Sequence, residues 1–232
     1  ISLKFSWSSI MFSKNGYYLE KELISKNDCQ KLIKIINNEL KNPKKEEGNI
    51  RDNKNRKDLL LPVNSDIKNI IEKIKKRFKN LIENSLENPV LAECSSFLSY
   101  PNSTAQGWHK DVEHIRNTDQ GNLITFAVSL VDIDDSMGPL EIIPKSHKIN
   151  NNDLREYGSI EELFSFKNTN PKKMSCPIGS VIIWDAKTIH RGGKNNSSKI
   201  RPMFYFSLLE GNKKRPKGPT FSLKSDSISA TT

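Results

Sequence analysis

Pro89-Val90-Leu91-Ala92-Glu93-Cys94-Ser95-Ser96-Phe97-Leu98-Ser99-Tyr100 is where the grammar of this chain changes. Ahead of it, apolar residues recur at three and four positions. From Val90 onward come short runs rich in Val, Ile and aromatic residues, which suit a pleated, half-buried surface. The candidate strands are Val90–Tyr100, Leu123–Val131, Leu140–Ile143, Ser180–Trp184 and Met203–Leu209. Turn signals separate them at Pro101-Asn102, Gly121-Asn122, Met137-Gly138-Pro139, Pro177–Gly179 and Gly192-Gly193. Short strands punctuated in this way, with helices in front, predict a β-sandwich or barrel.

The first third reads as helical scaffold. Ser25 or Asn27 can cap a helix that runs to about Leu40, with Leu32, Ile33, Ile35 and Ile36 on its apolar side. Asn42, Pro43 and Gly48 break it, and the almost wholly polar Glu46–Lys57 reads as a mobile loop. A second helix is expected from Ser65 to Glu87, where Ile67, Ile70, Ile71, Ile74, Phe78, Leu81 and Ile82 form a one-sided stripe. Asn150–Asn170 is a polar insertion with a short helix expected at Ile160–Phe164, and the tail from Gly211 is expected to be loosely ordered. The organisation is therefore one domain over 1–232: a helical layer at 11–89, a β core at 90–210 and a tail at 211–232. Residues 1–10, ahead of Met11, are read as upstream sequence without the apolar region of a signal peptide.

Composition excludes some classes. The 232 residues are 35% hydrophobic and 28% charged, and no apolar run has the length of a membrane span. Cys29, Cys94 and Cys176 are odd in number and far apart, which suits neither a disulfide framework nor a zinc site and points to a reducing cytoplasm. The net charge of +10 invites a nucleic-acid reading. The basic residues are mostly dispersed lysines with no interleaved aromatics, so that reading is kept only as a lesser alternative.

Four histidines are present, His109, His114, His147 and His190. In Trp108-His109-Lys110-Asp111 the His and Asp stand two apart, so an extended backbone points both to one face. His190 follows the apolar run Val181–Trp184, where a strand would deliver it as a third ligand. Two His and one carboxylate cover one face of an octahedron and leave three positions open, the donor set of non-haem Fe(II) oxygenases. Arg201 lies eleven residues after His190 and just before the apolar run Met203–Leu209. Its planar charged fork suits the distal carboxylate of 2-oxoglutarate.

The ordered combination resembles the phytanoyl-CoA dioxygenase family. Its carriers are Gln106-Gly107-Trp108-His109-Lys110-Asp111, then Gly138-Pro139-Leu140-Glu141-Ile142-Ile143-Pro144-Lys145-Ser146-His147, then Gly179-Ser180-Val181-Ile182-Ile183-Trp184-Asp185 leading to His190-Arg191-Gly192-Gly193 and Arg201. The likeness runs from about Phe12 to Leu209 and includes the opening Lys14-Asn15-Gly16-Tyr17-Tyr18. It implies a mainly β fold, a double-stranded β-helix (jelly roll, cupin-like) with N-terminal helices packed on one sheet. It also implies iron on His109, Asp111 and His190, with Arg201 anchoring 2-oxoglutarate. The reaction implied consumes O2 and 2-oxoglutarate, releases succinate and CO2, and hydroxylates a small-molecule substrate. The family's usual glycine is Lys145 here, in a turn remote from the ligands.

Other polar residues near these motifs carry two readings each. Thr125 and Ser129 share a strand face with Leu123 and Ala127, so either can bond 2-oxoglutarate or be a satisfied core hydroxyl. His147 reads as structural, His114 as a rim residue or substrate contact, and Trp108 and Trp184 as packing around the site. Val112–Asn122 and Glu46–Lys57 are expected to gate or read the substrate. The rival from another class is a non-catalytic ligand-binding jelly roll.

Overall fold

The computed structural model describes residues 6–41, 50–52, 55–112, 119–149 and 170–216. His114, the Ile160–Phe164 segment, most of the polar insertion and most of the tail lie outside the described residues. The helical layer comprises α1 (Trp7–Asn15), α2 (Lys26–Lys41), α3 (Ser65–Arg77) and α4 (Lys79–Ser85). The strands are β1 (Tyr17–Glu20), β2 (Ile50–Asp52), β3 (Arg56–Leu60), β4 (Val90–Ser99), β5 (Leu123–Ser129), β6 (Leu140–Ile142), β7 (Lys172–Lys173), β8 (Val181–Asp185), β9 (His190–Gly192) and β10 (Arg201–Leu209). A large sheet runs in the order β1-β8-β5-β10-β4-β3-β2 and a small one in the order β7-β6-β9. The pairings between these strands are all antiparallel.

Both faces of the large sheet are covered, which is why β5 is buried along its whole length. Alternation then sorts its side chains. Ile124, Phe126 and Val128 on β5, with Phe204, Phe206 and Leu208 on β10, meet the stripe Ile67, Ile70, Ile71, Ile74 of α3 and Leu81, Ile82 of α4. Ala127, Ile182, Trp184 and Met203 face the other way, toward Ile142 of the small sheet. This is the double-stranded β-helix expected, with helices on one outer face and the cavity between the sheets.

Four elements differ from the sequence reading. Glu46–Lys57 is not wholly a loop, because Ile50–Asp52 pairs with the strand Arg56–Leu60, which extends the large sheet beyond β4. The strand was hidden because its inward positions are Arg56 and Asp58, so it lacks the apolar alternation of an ordinary half-buried strand. Tyr17–Glu20 likewise pairs with β8. The expected Ser65–Glu87 helix breaks at Phe78, whose φ of −106° and ψ of 22° turn the chain while its ring stays against Tyr18 and Phe126. Finally α1 begins at Trp7, capped by the Ser6 hydroxyl on the Ser9 N–H, a helix that the sequence reading did not give.

Two turns seat the layer on the core. Gly16 ends α1 at φ +82°, where a Cβ would stand 2.4 Å from His147 Nδ1. His147 Nε2 bonds the Ser13 carbonyl at 3.2 Å, so this histidine joins a turn to α1. Lys145 occupies φ +68°, the left-handed region that explains why glycine is usual at this turn.

Phe126 ties sheet to helices, stacked on Phe206 at 4.9 Å and 3° and tilted against Phe78 at 6.4 Å. Phe126→Ala is expected to cost about 3–5 kcal/mol of folding free energy, read as a lower urea midpoint at an unchanged slope.

A candidate metal centre between the sheets

The site is built on main-chain pairing. His109 N–H donates to the His190 carbonyl at 3.0 Å and His190 N–H to the His109 carbonyl at 2.9 Å. Such a doubly bonded antiparallel pair puts both side chains on one face, and the two rings lie with centroids 4.5 Å apart. Gln106 extends the pairing, its N–H donating to the Gly192 carbonyl at 2.9 Å and its Oε1 accepting from the Gly192 N–H at 2.8 Å. Asp111 N–H then anchors on the Ala186 carbonyl at 2.9 Å, which returns its carboxylate toward the histidines.

Each ligand is oriented by a second bond. His109 Nδ1 lies 2.9 Å from the Gly107 carbonyl and His190 Nδ1 lies 2.9 Å from the Thr188 carbonyl. A carbonyl only accepts, so both Nδ1 atoms carry the proton and both Nε2 lone pairs are free to coordinate. Trp184 Nε1 donates to Asp111 Oδ2 at 2.9 Å. That leaves Oδ1, which stands 3.4 Å from His190 Nε2 and 3.9 Å from His109 Nε2. The three side chains offer ligand atoms within 4.8 Å of one another. Trp184 is thus more than packing, since its indole holds the carboxylate.

Charge follows the same pattern. Burial, reinforced by His190, lowers the pKa of His109 and keeps its imidazole neutral. At His190 burial opposes the charged form, but the Asp111 carboxylate outweighs it and raises the pKa. Burial works against the Asp111 anion too, yet His190 and the Trp184 bond hold its pKa below the ordinary value.

His109, Asp111 and His190 open onto a cavity of about 250 Å³ that Thr125, Tyr205, Glu93, Asp58 and Arg201 also line. Thr125 Oγ1 shares a hydrogen bond with Ser207 Oγ at 3.0 Å, and Ser207 donates to Glu93 Oε2 at 2.7 Å. Tyr205 donates its hydroxyl proton to Asp58 Oδ1 at 2.8 Å. Ser129 takes the core-hydroxyl reading. It donates to the Pro177 carbonyl at 2.8 Å, accepts from the Ser180 N–H at 3.0 Å, and does not line the cavity. Trp108 lies under the Arg191 guanidinium at 4.2 Å. Glu93, Asp58 and Tyr205 were missed as site residues; only the alternation of β3, β4 and β10 could have placed them on the inward face.

Arg201 is the largest fully buried side chain among the described residues, only 2% exposed. Its Nε has no hydrogen-bond partner among the described residues, and Nη1 reaches only Met203 Sδ at 3.7 Å. Burial, with Arg56 nearby, pushes its pKa down to about 9. A buried cation without a counter-charge is costly, which suits a cradle made for an anion. The donor set and this orphaned guanidinium both fit iron with a 2-oxo acid.

Solved structures share the architecture. The non-heme alpha ketoglutarate dependent carbocyclase SnoK from nogalamycin biosynthesis aligns with a TM-score of 0.71 at 13% identity, covering 93% of this chain and 88% of that one. The epimerase SnoN, in complex with Fe3+, alpha ketoglutarate and nogalamycin RO, aligns with a TM-score of 0.73 at 14% identity, covering 91% and 86%. AviO1 from Streptomyces viridochromogenes Tue57 aligns with a TM-score of 0.69 at 12% identity, covering 93% and 99%. At such identities the likeness is one of fold. No curated protein matches the chain. The family model described as phytanoyl-CoA dioxygenase (PhyH) matches residues 12–203, a span that holds the whole metal centre and Arg201, and the chain belongs to that family of Fe(II)/2-oxoglutarate oxygenases.

Proposed function

We propose that this chain is an Fe(II)- and 2-oxoglutarate-dependent dioxygenase that hydroxylates a small molecule and releases succinate and CO2. The observation that carries the reading is Arg201, a buried and incompletely paired guanidinium lining the same cavity as the His109, Asp111, His190 set. His109, Asp111 and His190 would hold the iron, and Arg201 the distal carboxylate of the co-substrate, with Thr125 as a hydroxyl at hand in the same wall. When bound, iron and 2-oxoglutarate supply the activation of O2 needed to oxidise a C–H bond.

The protein's own work is orientation. The carbonyls of Gly107 and Thr188 hold the imidazoles in one tautomer, and Trp184 presents a single carboxylate oxygen. Retention of Asp111 favours hydroxylation over halogenation, which requires a vacated ligand position. The cavity volume of about 250 Å³ must hold the co-substrate as well, so it suits a small molecule. The hydroxyls and carboxylates of Thr125, Ser207, Glu93, Asp58 and Tyr205 suit a polar one.

Ring closure or epimerisation is the second reading, favoured by the structural neighbours named carbocyclase and epimerase. Product mass separates the outcomes: hydroxylation adds one oxygen, oxidative ring closure removes two hydrogens, and epimerisation changes nothing. A mass-spectrometric substrate screen with Fe(II) and 2-oxoglutarate is the direct test. Absence of succinate formation across the screen, with or without substrate, would count against the enzyme reading itself.

His109→Ala, Asp111→Ala and His190→Ala are each expected to abolish metal binding and succinate formation, because each removes one third of the donor set. Full turnover in any of them would show the metal to be held elsewhere. Arg201→Ala should weaken 2-oxoglutarate about 10- to 100-fold, since a hydrogen bond to a charged group contributes roughly 1.5–3 kcal/mol. Arg201→Lys should also bind worse despite its charge, for want of the planar fork. Anaerobic titration of the Fe(II) protein, followed by the metal-to-ligand absorption band, reads both; metal affinity should persist in each.

A further inference from the structure

β3 is separated from β10 by β4, and in register Arg56 stands opposite Ser99, which stands opposite Arg201. Directly opposed residues share a face, so both arginines project between the sheets. They do different things there. Whereas Arg201 lines the cavity with Nε unpartnered, Arg56 turns Nε and Nη2 onto main chain and leaves only Nη1 without a hydrogen-bond partner among the described residues. Its Nε and Nη2 both donate to the Thr104 carbonyl, at 3.1 and 2.8 Å. The same Nη2 donates to the Gly193 carbonyl at 2.6 Å and approaches the Gly192 carbonyl at 3.4 Å. The guanidinium lies over the Phe97 ring at 5.7 Å, and the side chain is only 4% exposed.

The two segments it grips are those that carry the metal ligands. Thr104 leads into Gln106 and His109, while Gly192 and Gly193 follow His190 after Arg191. Between them run the Gln106–Gly192 and His109–His190 main-chain bonds. Gly192 is needed for this approach, since a Cβ there would stand 2.9 Å from Arg56 Nη1 and 2.7 Å from Gln106 Oε1.

We propose that Arg56 is a positioning residue of the metal centre: its guanidinium bolts the His109 and His190 segments to the edge of the large sheet and so sets the separation of their Nε2 atoms. The inference rests on the metal-centre reading and deepens it. It also gives the polar segment ahead of β4 a role at the metal. Nη2 reaches carbonyls on both segments, at Thr104 and Gly193, and Nε adds a second bond to Thr104 that holds the guanidinium plane in place, a second anchor that the lone nitrogen of a lysine lacks. Partners of this kind, which orient ligands without touching the metal, typically change metal affinity about 10- to 100-fold when removed.

The test is Co(II) titration of the whole chain, followed by visible d–d absorption, with no turnover required. The variants are Arg56→Lys, Arg56→Ala with and without added guanidinium ion, His190→Ala, and Arg77→Lys as a surface control. The expected result is a Co(II) dissociation constant raised about 10- to 100-fold in Arg56→Lys and Arg56→Ala, with an altered band shape. Guanidinium ion should restore affinity and band in Arg56→Ala alone. Parent-like affinity and spectrum in Arg56→Lys and Arg56→Ala would overturn the role of Arg56 while leaving the metal centre standing. Loss of the near-ultraviolet dichroism of the fold in Arg56→Ala, unrestored by guanidinium ion, would make Arg56 a folding residue only and also overturn it. A parent chain whose Co(II) spectrum is unaffected by His190→Ala would overturn the metal-centre reading first, and this inference with it.

Discussion

Two reciprocal main-chain hydrogen bonds between His109 and His190 decide where a metal can sit. They belong to the antiparallel pattern in which opposed residues exchange both bonds, and that pattern brings two imidazoles to one face without any help from side-chain packing. Everything else at the centre completes it. Gln106 lengthens the pairing, the Ala186 carbonyl returns the chain at Asp111, and Trp184 takes one carboxylate oxygen out of play. The donor set is a product of backbone geometry, and side chains supply its fine adjustment.

The same sheet serves two environments. Its helix-facing side is an apolar layer broken at Ser96, whose hydroxyl donates to the Met203 carbonyl, and within it Phe126 stacks on Phe206 beneath α3 and α4. Its inner side carries Glu93, Thr125, Arg201, Tyr205 and Ser207, a set of groups expensive to bury. The apolar side offsets that cost. Polar residues on alternate positions of otherwise apolar strands are therefore the signature of the cavity; Glu93, Thr125, Tyr205 and Ser207 are hydrogen-bonded there, while Arg201 keeps Nε without a partner among the described residues.

Legibility in the sequence followed the same division. Strands β4, β5, β8 and β10 were readable because their apolar composition is dense, and His109, Asp111 and His190 because the spacing of two and the apolar run ahead of His190 have direct geometric meaning. β3 was not readable, because Arg56 and Asp58 occupy its inward positions and make a strand look like a loop. β1 was too short to show a period. The break at Phe78 left no trace, since Phe78 continues the helical stripe perfectly well. Ser129 and Thr125 look alike from sequence, and only the Pro177–Ser180 turn, which consumes the Ser129 hydroxyl, tells them apart. Arg56 carried no sequence signal at all; its partners are carbonyl oxygens, which composition and motif never reveal.

β1 closes one edge of the large sheet by pairing Tyr17 with Trp184 and Glu20 with Val181. Tyr17–Glu20 thus waits for a strand made more than 160 residues later. At ribosomal rates of about 5–20 residues per second, roughly 10–30 seconds separate the emergence of the two. During that interval β1 has no partner on its own sheet, and β8 is also the neighbour that β5 requires. The helical layer can form early from local contacts, but closure of this edge must wait until β8 has been made. The metal centre likewise joins segments far apart in the chain, since His109 can pair with His190 only after some eighty further residues have been made.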